Sequence, residues 1–485
     1  MVNILSRGVG VAAAFSALVL AGCGGDSSDP LVISPVESAP ASSLRVIHAS
    51  SDAPAVNLNV NGAAFAAVQG LAYGSASSLL SVPAATYSVS VDAVLPGDTV
   101  AQVVAPVDLM LAENETVNVV AIGLAGGAGD QALAPEVVVT PDADVAATDT
   151  RVQVVHASVA AEQALPGGVS VYVTAPGAPL AGSTPLTTFN LRDATGAVTV
   201  PAGDYQIRIT PAGSTATVVF DSGTIALPGG ADLMVLAVDS TGPGAPVQLL
   251  VSTGDADSDF VISDKDAGAD LRVVHAAANV GAAEVFAASA SASLATTEVI
   301  DSILFAATEE LNDLAPANDY ALDVNQDGAG AAGAPISATG VTLAAASYYT
   351  VLAAGDLGTP NLFPILARDD RRSIATEARV RAIHAASTAG TVDVFVTPAG
   401  DVTVASIELG EVAPTISTFE VADVTDYLSL AAGNYDVRVG VPDGSGGYNV
   451  AIDEMYPLAN GDVITLVAHN PDASVPAFGF IVLAD

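Results

Sequence analysis

The chain has 485 residues, 51% of them hydrophobic but only 5% aromatic, and its 53 acidic against 13 basic residues give a net charge of −40. That charge excludes nucleic acid as a partner class, because phosphate binding needs clustered Lys and Arg, and it argues against docking on anionic lipid headgroups. A single cysteine, Cys23, excludes an internal disulfide framework, so apolar burial has to hold the fold together.

Arg7 precedes an apolar run from Val9 to Leu20. The run is too short to span a bilayer and fits the central region of a signal peptide. It ends in Leu20-Ala21-Gly22-Cys23, which resembles the lipobox of bacterial lipoproteins. The resemblance implies cleavage before Cys23 and acylation of its thiol and new amino group. The expected segments are a signal peptide over 1–22 and a lipidated tether over 23–43, rich in Ser, Pro, Asp and Ala. Gly24 follows the cysteine, a sorting pattern that favours the outer membrane in a cell with two. The expected location is therefore outside the cytoplasm, held to the outer membrane or cell surface through the N-terminal lipid.

The body repeats itself. Arg45-Val46-Ile47-His48, Gln153-Val154-Val155-His156, Arg272-Val273-Val274-His275 and Arg381-Ala382-Ile383-His384 recur at steps of 108, 119 and 109 residues. A period of this size means tandem copies of one small domain. Each copy continues with an alternating strand: Val56 to Asn61, ending in an Asn-Gly hairpin signal, Val169 to Thr174, a weaker Glu284-Val285-Phe286, and Val392 to Thr397. Next comes a Pro/Ala/Gly turn running into a tyrosine, at Tyr87, Tyr205, Tyr320 and Tyr435. Apolar runs then follow at Val117 to Leu124, Leu233 to Val238, Tyr348 to Ala354 and Val463 to His469, each with a closing strand behind it. Period-two strands, Gly/Pro turns and little helical periodicity predict an all-β protein of four tandem immunoglobulin-like antiparallel β-sandwich domains. With boundaries in the acidic linkers, the domains span 44–142, 150–254, 270–368 and 378–485. The Ala-rich stretch 287–292 is a candidate short helix.

The repeated residues are the first candidates for a site. His48, His156, His275 and His384 share strand parity with apolar neighbours, which predicts core histidines bonded to backbone at a strand end. A metal role needs further ligands, and the remaining histidine, His469, belongs to one copy. Tyr87, Tyr205, Tyr320 and Tyr435 resemble the tyrosine corner of Greek-key sandwiches. Asp323, Asn325 and Asp327, in Asp-Val-Asn-Gln-Asp-Gly, match the start of a calcium loop, although Ala334 stands where the bidentate Glu belongs. Asp255, Asp257 and Asp259 form a second carboxylate run. Calcium is thus the one candidate cofactor, with ordinary turns and solvated charge as the competing readings. No H-E-x-x-H, G-x-S-x-G, C-x-x-C or phosphate-loop signature occurs.

The run from His48 to Pro54 (His-Ala-Ser-Ser-Asp-Ala-Pro), the alternating strand behind it and the Pro-Ala-Gly-x-Tyr turn together resemble the bacterial family called domain of unknown function 4397. The resemblance covers about residues 44 to 485 and is clearest in copies one, two and four; copy three has Ala276-Ala277-Ala278-Asn279 where the acid-proline run stands. It implies an exported, β-rich, tandem module and no catalytic residue or cofactor. The expected function is non-catalytic: an envelope lipoprotein in surface adhesion, matrix interaction or envelope architecture, with an unidentified surface polymer or protein as partner. The alternative is a ligand-binding module for a polymer or divalent cation.

Overall fold

Val and Ile at the repeated histidine motif favour extended backbone, and the motif forms the first strand of each domain: Ala41–His48, Asp149–His156, Ala269–Ala278 and Ala378–His384. A computed structural model describes residues 41–290, 294–330, 333–358 and 361–485. The lipobox and Cys23 lie outside the described residues. The first strand begins at Ala41, three residues before the first domain was expected to start, because Ala41, Ser42 and Ser43 pair with Pro83, Val82 and Ser81.

The chain is all-β, and each domain is a sandwich of two sheets with the same strand order in all four copies. In the first domain one sheet runs from short edge strands (Ser75–Ala76, Leu80–Pro83) to the histidine strand, then the apolar strand Glu115–Ile122 and the closing strand Ala134–Pro141. The other sheet orders Ala63–Ala64, Val56–Val60, the tyrosine strand Ala85–Leu95 and Thr99–Leu111. Asn61 and Gly62, at φ 52° and 76°, make the tight turn between Val60 and Ala63. Pairing is antiparallel with one exception per domain. The histidine strand runs parallel to the apolar strand, with His48 opposite Ala121, His156 opposite Ala237, His275 opposite Ala353 and His384 opposite Ala468. A parallel pair needs a long connection, and here the whole second sheet is that connection.

The second domain carries a strand with no counterpart in the others. Phe260–Ile262 pairs with Leu249–Val251 at the edge of its histidine sheet, so the acidic segment after Gly254 returns to the domain. Three residues flanked by aspartates give no period to read, which is why the sequence ends this domain at 254. The Ala-rich stretch of the third domain is also extended: Ala287 and Ala288 belong to the strand Ala283–Ser289 and pair with Leu322 and Ala321. Cross-strand burial overrides the helix preference of alanine there.

The histidine sheets are buried on both faces. In the second domain Leu233, Val235 and Ala237 enter that domain's own core, while Met234, Leu236 and Val238 pack against Ile47, Val120 and Ile122 of the first domain. The third and fourth domains repeat this, with Val274, Leu352 and Ala354 against Ile383, Val467 and Leu483. The four sandwiches are therefore two face-to-face pairs, not four beads. The segment after Asp369 ties the pairs together: Arg372 Nη1 donates to the carbonyl oxygens of Ser51 (3.3 Å) and Ala53 (3.0 Å), and Ala375 N donates to Asp52 O (2.8 Å).

Candidate functional site

Each histidine closes its strand onto the following loop. Nε2 of His48 donates to Pro54 O (2.9 Å), that of His275 to Gly281 O (2.8 Å) and that of His384 to Gly390 O (2.7 Å). In the same three rings Nδ1 accepts the backbone N–H two residues on, at 3.3 Å. An accepting Nδ1 and a donating Nε2 define a neutral imidazole. Burial favours the same state, pushing His48 down to about 4 and lowering His275 and His384. His156 departs from the pattern. Its loop is the short helix Val159–Ala164, capped by Ser158, and neither ring nitrogen has a hydrogen-bond partner among the described residues. Burial pushes it, too, down to about 4.

The four tyrosines sit at corners. Their hydroxyls donate to the carbonyls of Pro83, Pro201, Ala315 and Ala431, at 2.9, 2.8, 2.8 and 3.0 Å. Only Tyr320 is fully buried. Replacing it with phenylalanine leaves the Ala315 carbonyl without this donor, and the expected cost is about 1 kcal/mol, measured as a shift in the urea midpoint. A loss near zero would mean that the ring, not the hydroxyl, fixes the corner.

The two acidic runs do not converge on a point. Asp323 and Asn325 lie in the strand Ala317–Gln326, where alternate side chains stand roughly 7 Å apart, instead of folding around one ion. Asn325 is committed to the hairpin turn, donating to Gly330 O (2.8 Å) and accepting from Gln326 N (2.9 Å), and Asp327 accepts from Ser302 Oγ (3.3 Å). Asp255 caps the single turn Ala256–Ser258, Asp259 accepts from Thr253 N (2.7 Å), and Asp257 is exposed. Among the described residues no group of three or more His, Cys, Asp or Glu is placed to hold a metal ion.

The polar residues that do converge lie between domains, three positions before each histidine. Arg45 Nη1 reaches across the first joint to Ser252 O (3.3 Å) and Oγ (3.0 Å) on the partner domain's closing strand, while Nε donates to Asn118 Oδ1 (2.7 Å). From the other side Gln153 accepts from Thr140 Oγ1, on the first domain's closing strand. The second joint has the same geometry with charge. Arg272 donates to Ala484 O (2.9 Å) and pairs with Asp485; Arg381 donates to Arg368 O (3.0 Å) and pairs with Asp369 at 2.6 Å. All four ionic side chains are at most 4% exposed. Thr350 and Thr465 supply hydroxyls to Asp369 (2.8 Å) and Asp485 (2.5 Å). Arginine at three of the four equivalent positions was a visible signal of this joint.

One cavity stands out by its apolar wall. Between the two sheets of the second domain lies a space of about 290 Å³, and Thr253 is the only polar side chain in its wall.

No curated protein matches the chain. Among solved structures it is similar to the Bacillus anthracis TIE protein, with 10% identity over 89% of this chain and 68% of that one, and a TM-score of 0.14. At that score the likeness carries no argument. Residues 42–165 and 269–395 match the family described as Domain of unknown function (DUF4397). Those stretches cover the first and third domains and the histidine loops that open the second and fourth; the chain belongs to the DUF4397 family.

Proposed function

We propose that the chain is a non-catalytic cell-envelope lipoprotein, a paired scaffold of four sandwiches held to the membrane by acyl groups on Cys23 and acting in surface adhesion, matrix interaction or envelope architecture. One observation carries this reading: the polar residues that recur in each copy are spent on holding loops and domains together. Three histidines clasp their own loops, the tyrosines close corners, and the side chains three positions before the histidines bridge to the partner domain. The lipobox supplies the anchor in this reading, and the acidic surface keeps a crowded envelope protein soluble.

Cells expressing the wild-type chain and Cys23→Ser are to be fed radiolabelled palmitate. Label is expected in the wild type and absent from the variant, which should leave the membrane fraction. Equal labelling of both, or no labelling of the wild type, would remove the anchor and with it the envelope role.

A further inference from the structure

We propose that the second sandwich binds an uncharged hydrocarbon molecule, about the size of a bicyclic ring system, in the chamber between its two sheets. The sister domains act as internal controls, because strand register identifies equivalent positions. The space at the same place measures about 40 Å³ in the first domain and about 200 Å³ in the fourth, against about 290 Å³ in the second.

The difference traces to single methylenes. Val152 opposite Val198 corresponds to Leu44 opposite Leu80, Leu271 opposite Leu311 and Val380 opposite Leu428. Val200 corresponds to Val82, Leu314 and Leu430. The second domain thus has valine at all three positions where its sisters carry at least one leucine, and the volume is lost from one side of the core. The rim follows the same logic. Leu186 N donates to Val171 O as Phe65 N donates to Leu58 O in the first domain, so the first domain has a phenyl ring where the second has leucine. In the fourth domain the corresponding space reaches the polar side chains of Arg381, Asp426 and Tyr427; in the second it does not.

Two features point to an occupant. The extra strand Phe260–Ile262, present only in this domain among the described residues, contributes two of the chamber's walls, Phe260 and Ile262. Around the opening Phe260, Leu186 and Val198 remain 49%, 37% and 36% exposed, an apolar entrance on a strongly acidic protein. The chemistry of the occupant follows from the wall. Thr253, its one hydroxyl, is already bonded to Asp255 O (3.2 Å) and close to Asp259 Oδ1 (3.4 Å), so no free polar group waits for a ligand. The wall holds no cationic side chain to pair with an anionic head, which separates this site from one for fatty acids. The volume is about twice that of an engineered apolar cavity of roughly 150 Å³ that stays dry and takes up benzene, and it reaches the lower end of ordinary ligand pockets.

The test is a fluorescence titration of 1-aminonaphthalene, uncharged at neutral pH, into the full chain, into V152L/V198L/V200L and into L186F. The first variant restores leucines found in the sister domains and fills the chamber; the second narrows the entrance with the residue the first domain uses. Saturable binding of one molecule per chain is expected in the parent, weakened at least tenfold in both variants. Far-UV circular dichroism reports whether each variant folds, and either folded variant suffices. A signal that does not saturate, or an affinity unchanged in the folded variants, would overturn the proposal.

Discussion

Replacing Asp369 with alanine is expected to cost about 3–5 kcal/mol, because it takes from the buried Arg381 its nearest carboxylate and from the buried Arg272 one of two. Asp369 accepts from Arg381 at 2.6 Å and lies 3.5 Å from Arg272, and both arginine side chains are at most 4% exposed. Asp485 alone cannot balance them. Arg381 is 3.9 Å from it, and the Asp485 carboxylate is already shared with Thr465, Tyr427 and Arg272. The check is urea denaturation of the full chain together with hydrogen exchange, since a protein of several domains need not unfold in one step. Protection should fall across the third and fourth domains and stay unchanged in the first pair. A loss below about 1 kcal/mol would mean that apolar packing at this joint, not the ion cluster, holds the pair.

The same cluster raises the question of why charge is buried there at all. Replacing a buried ion network wholesale by apolar residues is often neutral or stabilising by about 1–4 kcal/mol. R272M/R381M/D369L/D485L is therefore expected to be no less stable than the parent. What the charges add is partner choice. The first joint offers Asn118, Thr140, Gln153 and Ser252 around one arginine. If the third domain docked on the first, Arg272 would lose Asp485 and keep only the Asp369 of its own domain, 3.5 Å away. Four similar sandwiches in one chain have several wrong ways to pair, and the two joints differ in the side chains that would make those pairings expensive.

This pairing was present in the sequence in a form that a strand-by-strand reading does not use. Leu233 to Val238 is apolar at six successive positions, whereas a strand with one solvent face alternates. Both parities being apolar requires two buried faces, hence a second sheet outside the domain. The sandwich itself was legible because Val56, Leu58 and Val60 alternate with asparagines and end in an Asn-Gly turn. The Asp323-Asn325-Asp327 spacing was legible as well, yet a strand and a calcium loop can share it, and pairing with Phe286 and Ser337 settles the extended form. The chamber was not legible. It arises from Val152, Val198 and Val200 meeting on one side of a core, and only the strand register shows that their sister positions carry leucine.

The histidines predict how the protein responds to acid. His48 and His156 are held at about 4 by burial, against 6.5 for an exposed imidazole. Between those values the unfolded chain takes up protons that the native state refuses, so stability falls as pH drops from 6.5 towards 4 and is flat in this respect above 6.5. Each shift is worth on the order of 3 kcal/mol over the whole window, and His275 and His384 add in the same direction. Asp259, raised by burial, opposes the trend, while the lowered Asp370 and Asp472 lose their contribution only at pH values below the histidine window. The two strongest cases separate cleanly by substitution. His48→Phe forfeits the bonds to Pro54 O and Ser50 N and should be less stable than the parent already at pH 7.5. His156→Phe removes a ring whose nitrogens have no partner among the described residues, so it should match or exceed the parent at pH 7.5. Both should show a shallower fall in urea midpoint between pH 6.5 and 4.5. A parent-like slope in both would mean that these rings are not what acid attacks, and that carboxylates carry the dependence instead.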